Sequence, residues 1–208
     1  MALVDRVKNI LLSPQTEWQV IDAEPATVSS LYTGYIMPLL AIPTICRVIG
    51  SAVFGTNLGV LGRFRAPISS TLIGAVVEYI LGLVMIYVFA FVIDALAPTF
   101  GGTKNMVQAL KVAAYASTAA CVAGILSIFG FNGFLAFIKL LIALYSLYLL
   151  YLGLAPCMKS PVDKSAGYTI VVIIAMFIVG AILSVVVGAL GFAGIMGGGG
   201  IGAAYSRP

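Results

Sequence analysis

The sequence predicts an all-α fold, a polytopic membrane bundle of five transmembrane helices with a short N-terminal amphipathic helix. Three observations carry this. The 208 residues are 62% hydrophobic and 9% charged, with mean hydropathy +1.14, whereas soluble domains are roughly a quarter charged. Five apolar runs, about 31–55, 68–97, 107–129, 134–156 and 168–195, reach the ~20 residues that cross hydrocarbon. The separators "GTNLGVLGRFRAP", "PTFGGTKN", "GFNG" and "CMKSPVDKSAG" are turn-rich. Backbone donors in lipid need partners within their own segment, so the runs are helices. A β-barrel would show short alternating segments, and the sequence has none.

Residues 1–30 form the expected interfacial segment. In "LVDRVKNILL", Leu3, Val4, Val7, Ile10 and Leu11 recur at helical spacing, with Asp5, Arg6, Lys8 and Asn9 elsewhere on the helix. Such a helix suits the membrane surface or docking on the protein's own bundle, and both readings stand. In "SPQTEWQVI", Ser13 is the expected N-cap and Pro14 the first helical residue, with Trp18 placed at the membrane interface. The Ser-Pro device recurs at Ser160-Pro161, where Asp163 suits the positive helix end. The opening residues lack the apolar core and cleavage site of a signal peptide, so insertion is expected to use the first span.

Pro38 and Pro43 in "GYIMPLLAIPT" are expected to break or kink that span. The third span carries a small-residue face, Ala113, Ser117, Ala120, Cys121 and Gly124, which places it at the centre. On the fifth, Gly180, Ser184 and Gly188 repeat every four residues and permit tight helix contact. Residues 31–195 form the expected transmembrane domain and 196–208 a glycine-rich tail, since four consecutive glycines resist helix formation.

Lys and Arg near the span ends set orientation. Arg6, Lys8, Lys104, Lys159 and Lys164 share the side of the N-terminus, against Arg63, Arg65 and Arg207 opposite. This predicts a cytoplasmic N-terminus in a multi-pass membrane protein. The net charge of +4 is scattered singly, so no nucleic-acid partner is expected. Cys46, Cys121 and Cys157 lie far apart and the chain has no His, so neither metal nor disulfide framework is expected. No cofactor is implied either.

The ionisable residues inside the spans are the candidate sites. Glu78 lies ten residues, ~15 Å, below the outer end of the second span, and Arg47 about seven residues, ~10 Å, from that of the first. Lys139 sits at comparable depth in the fourth. Each costs about 2.5–3.5 kcal/mol at mid-span. Small neighbours permit close helix approach: Gly74 and Gly82 beside Glu78, Thr44, Gly50 and Ser51 beside Arg47, Ala136 and Ala143 beside Lys139. The expected cluster is Glu78 facing Arg47, Lys139 or both across the bundle interior. At the inner face, Asp94 precedes Pro98, where the helix should stop, with Lys104 and Lys111 within reach. Such pairs either fix helix register or mark an ion or substrate path. Tyr145, Tyr148 and Tyr151 make a phenol stripe, read as buried hydroxyls seeking partners or as a cavity lining. No catalytic motif occurs.

The order of "ILLSPQTEWQVIDAEPAT", "GYIMPLLAIP", "IDALAPTFGGTKNMVQALKVAAYAST" and "LYLLYLGLAPCMKSPVDKSAGYT" resembles the Yip-one domain family, five-span proteins named for interaction with Ypt/Rab GTPases. The likeness covers nearly the whole chain and is to the short bacterial form, without the long cytosolic extension of eukaryotic members, which implies the bacterial inner membrane. Similar sequences commonly carry Pro in the third span where "YASTAACV" has Ala119, so the kink which that Pro would produce is not implied here. For eukaryotic members the family implies vesicle trafficking, GTPase binding and membrane shaping; the GTPase role is not carried over to a bacterium-like chain. The resemblance implies no catalytic residues. The expectation is therefore a non-enzymatic membrane protein acting through helix–helix and membrane-surface contacts, a membrane-organising or trafficking-like scaffold. Its partners would be the lipid bilayer, a second copy or other membrane proteins. The alternative is a channel, transporter or lipid-handling protein built on a charged cavity around Glu78.

Overall fold

The computed structural model describes residues 3–57, 63–64, 67–129 and 133–197, with side chains described up to Val185 except those of 56–57, 63–64 and 133. Five helical segments are long and apolar enough to cross a membrane: Val28–Phe54, Ile68–Phe100, Met106–Phe129, Phe134–Met158 and Val162–Val185. All five expected spans are present; the first four agree within three residues at each end, and the fifth begins six residues earlier than expected. Of the expected tail, residues 198–208 lie outside the described residues, as do Arg65 and Arg207.

Two short helices open the chain, α1 (Leu3–Leu12) and α2 (Pro14–Ala23), folded against each other about Ser13. Pro14 starts α2 as expected, but the Ser13 hydroxyl makes no capping bond. Its carbonyl instead accepts from the Thr16 hydroxyl at 3.1 Å. The pair docks on the bundle, as the second reading of the N-terminal segment expects. Ile10, Trp18 and Ile21 are buried, and so are Arg6 and Glu17.

The first span is compound: α3 (Val28–Leu31), a π-helical turn (Tyr32–Ile36) and α4 (Met37–Phe54). Thr27 caps it through a reciprocal pair of bonds with Ser30. Pro38 has no N–H to offer the carbonyl four residues back, and the turn ahead of it widens so that the Met37 N–H reaches the Tyr32 carbonyl. A two-residue antiparallel ribbon, β1 (Thr56–Asn57) with β2 (Arg63–Phe64), follows. Then α5 (Ile68–Leu96) crosses back and ends in a 3₁₀ turn, Ala97–Phe100, two residues short of Pro98 and closed by Gly101 at φ +74°. Tyr32 and Tyr79 tie the first span and α5 together by donating to the Leu83 and Met37 carbonyls at 2.9 and 3.0 Å.

The third span is broken although it lacks the proline. It comprises α6 (Met106–Ala116), α7 (Thr118–Ala123) and a 3₁₀ stretch, Gly124–Phe129. The break falls at Ser117, whose hydroxyl bonds back to the Ala113 carbonyl at 2.7 Å, a competition that bends helices. Every residue from Ala109 to Ala116 is buried, so this helix is central, as its small side chains allow. Asn105 caps α6 by accepting from the Val107 and Gln108 N–H groups. The last two helices are α8 (Gly133–Met158) and α9 (Val162–Gly197). Residues from Ile170 onward form a compact unit of their own. Within it Gly180 has open space about its Cα, and the Ser184 hydroxyl bonds the Ala181 carbonyl at 2.8 Å.

Trp18 corrects an expectation. It is 1% exposed, seated on Gly153 of α8, where an added Cβ would lie 2.6 Å from the indole. Its ring meets Tyr115 edge-on at 6.3 Å. Protein, not the lipid interface, surrounds it.

Candidate functional site

The polar side chains converge where α1 and α2 meet α6 and α8. Arg6 pairs with Glu17 and with Glu24. Side-chain exposures of 5% and 7% for Arg6 and Glu17 mark their pair as buried, whereas Glu24 at 43% reaches the surface. The Arg6 guanidinium also lies 5.7 Å from the centre of the Tyr115 ring, an attractive placement over a π face. Lys111, 3% exposed, donates to the carbonyls of Ile21 at 2.7 Å, Glu24 at 2.6 Å and Asp22 at 3.4 Å. These are orphan acceptors at the negative end of α2. Asp22 pairs with Lys159, and its carbonyl accepts from Gln108 at 3.1 Å. Deeper in, Tyr35 bonds Thr118 at 2.7 Å and its ring lies 4.5 Å from that of Tyr115.

The same residues enclose a cavity of about 240 Å³ lined by Arg6, Glu24, Ser30, Gly34, Lys111 and Tyr115, among others. A second, more apolar crevice of about 260 Å³ lies beside Trp18, Tyr151 and Pro156. Among the described residues no group of three His, Cys, Asp or Glu could hold a metal ion.

The residues singled out from sequence are distributed differently from the expectation. Arg47 and Glu78 do pair. However, their side chains keep 41% and 53% exposure, although the Arg47 Nε and Nη2 atoms are enclosed, so the pair is half-exposed between α4 and α5 and does not cross the bundle interior. Lys139 does not join them; it donates to the Ser127 hydroxyl at 3.1 Å. The cleft between α4 and α5 is apolar, lined by residues such as Thr44, Val48, Leu72 and Tyr79. The inner cluster does not assemble around Asp94. Lys111 is drawn to the α2 carbonyls, Lys104 is exposed, and among the described residues no ion pair reaches Asp94. One carboxylate oxygen of Asp94 is enclosed without a hydrogen bond. Tyr145 donates to the Leu11 carbonyl at 2.7 Å and so closes the last turn of α1. Tyr148 is 42% exposed with its ring 5.9 Å from that of Tyr145; neither lines the charged cavity. Both N-terminal helices thus have their C-terminal carbonyls satisfied by side chains of the bundle.

The half-exposed pair sets a testable energy. Arg47→Leu alone strands a carboxylate in the second span and is expected to cost about 2–3 kcal/mol of insertion or folding free energy. Adding Glu78→Leu should recover most of it. A double-mutant cycle on thermal unfolding in mild detergent measures the coupling.

The comparisons with known proteins agree with this architecture. The Yip1 domain model matches residues 8–184. The chain belongs to the Yip1 domain family. The Yip1 match takes in most of the docked N-terminal pair and all four following spans, and it reaches into the fifth. Among curated proteins, the chain is 29% identical over 115 residues to "Inner membrane protein YohC" of Escherichia coli K12, and equally to that of E. coli O6:H1. These alignments cover 55% of this chain and 59% of each relative. No solved structure matches. This Yip1 domain chain is accordingly an integral membrane protein with five candidate spans.

Sequence reasoning missed Arg6, Glu17, Asp22, Glu24 and Lys159 as a network. A signal was present: Arg6 shares a helical face with Leu3, Val7 and Ile10, and Glu17 with Pro14, Trp18 and Ile21. One charge of each sign in the middle of two otherwise apolar faces marks a buried pair.

Proposed function

We propose that this Yip1 domain protein is a non-enzymatic scaffold of the bacterial inner membrane. It works through contacts between helices and through its N-terminal helix pair at the cytoplasmic surface. The observation that supports this is the two-sidedness of that pair. Arg6 and Glu17 turn inward onto the bundle, while Val4 and Leu12 at 71% exposure and Val20 at 46% face outward. An apolar outer face on a docked helix pair suits contact with lipid, a second copy or another membrane protein. The excess of Lys and Arg on the N-terminal side supports a cytoplasmic N-terminus. A channel, transporter or lipid-handling protein is the alternative reading, and the apolar groove between α4 and α5 does not support an ion path there.

Photocrosslinkers placed at Val4, Leu12 and Val20 in native membranes test it. Adducts with lipid or with membrane proteins at these three positions, absent from a crosslinker at the buried Ile10, are the expected result. Equal labelling at all four positions, or none at any, would refute the two-faced arrangement.

A further inference from the structure

We propose that the charged cavity binds the head group of an aminophospholipid, its phosphate against Arg6 and the Tyr115 hydroxyl and its amine against Glu24. This goes beyond the scaffold reading and does not depend on it. Four observations lead there.

Tyr115 is 7% exposed and lines the cavity; its hydroxyl makes no hydrogen bond among the described residues and is not enclosed, so it is open to a ligand. Arg6 spends two of its five N–H donors on Glu17 and Glu24, which leaves donors for a phosphate oxygen. Two cations, Arg6 and Lys111, and one carboxylate, Glu24, line the cavity, while Glu17 pairs with Arg6 from outside the lining. A lone anion would meet the Glu24 carboxylate and a lone cation both basic groups, whereas a zwitterion satisfies each. Lys111 contributes field alone, because its three donors are committed to carbonyls.

The backbone also leaves room. The π turn Tyr32–Ile36 runs along the rim, and such turns recur at functional sites. A Cβ added at Gly34 inside it would meet nothing within 4 Å. At about 240 Å³ the cavity falls below the ~300 Å³ at which sites for drug-sized ligands begin, which suits a head group whose chains stay outside.

Purified full-length protein, delipidated in mild detergent, would be titrated with short-chain phosphatidylethanolamine, short-chain phosphatidylglycerol and free phosphoethanolamine and read by native mass spectrometry. The ethanolamine lipid should bind at least about tenfold more tightly than the glycerol lipid. Tyr115→Phe removes one hydroxyl and should weaken it about tenfold, the loss of one hydrogen bond to a charged group. Gly34→Leu fills the rim and should abolish binding with the melting temperature held. Should Gly34→Leu fail to fold, Tyr115→Phe decides alone. Free phosphoethanolamine binding as tightly as the lipid keeps the chemistry and assigns the ligand to solution. Equal binding of both lipids, or ethanolamine-lipid binding unchanged in Tyr115→Phe, overturns the proposal.

Discussion

Arg6→Met is expected to lower the stability of the folded protein by about 3–5 kcal/mol, the cost of stripping one partner from a buried ion pair. Glu17 would remain at 7% side-chain exposure with no cation in reach. In thermal unfolding by circular dichroism in mild detergent this is a fall of roughly 6–20 °C for a chain of this size. The double variant Arg6→Met/Glu17→Leu should regain most of it, because an apolar pair of similar volume replaces a desolvated ionic one at little cost. Glu24→Gln should fall by less than about 1 kcal/mol, since that carboxylate is near solvent. If Arg6→Met were as mild as Glu24→Gln, α1 would not be docked.

The second large effect concerns two glycines. Gly50→Ala and Gly124→Ala should each cost about 1–3 kcal/mol or more, although alanine ordinarily gains about 1 kcal/mol over glycine in a helix. A Cβ on Gly124 would lie 2.7 Å from the Pro43 Cα, and one on Gly50 would lie 3.0 Å from the Ile128 carbonyl oxygen. Both overlaps are with backbone, which cannot rotate aside. They mark the line along which α4 meets the 3₁₀ end of the third span, a close approach typical of small residues between membrane helices. Gly74→Ala is the control. Its site is open, so it should be neutral or slightly stabilising in the same melt.

Hydrophobic run length and proline position carried the fold. Five spans, the stop before Pro98 and the start at Pro14 follow from constraints that act within one segment, and these are legible one segment at a time. The Ser117 break was less legible. The missing proline argued against a kink, yet a serine hydroxyl competing for the Ala113 carbonyl interrupts the helix by a different route. Side-chain partners were the hardest to read, because they depend on which faces meet. Glu78 found Arg47 on an adjacent span, a choice among few candidates. Lys111 was assigned to Asp94 by proximity along the chain. It instead reaches the carbonyls of α2 about 90 residues earlier, acceptors that no side-chain pattern advertises. Arg6 was set apart from the apolar residues of its helix; arginine is rarely fully buried, and only a partner such as Glu17 makes its burial possible.

Trp18 gives the most direct test that the N-terminal helices belong to the bundle, since the chain has one tryptophan and needs no substitution to report. Emission would be recorded in liposomes with aqueous iodide and, separately, with bromine-labelled acyl chains. Seated on Gly153 beside Tyr115, the indole should emit as a buried group and resist both quenchers. Strong quenching by brominated lipid would place Trp18 at the membrane surface and contradict the docked arrangement.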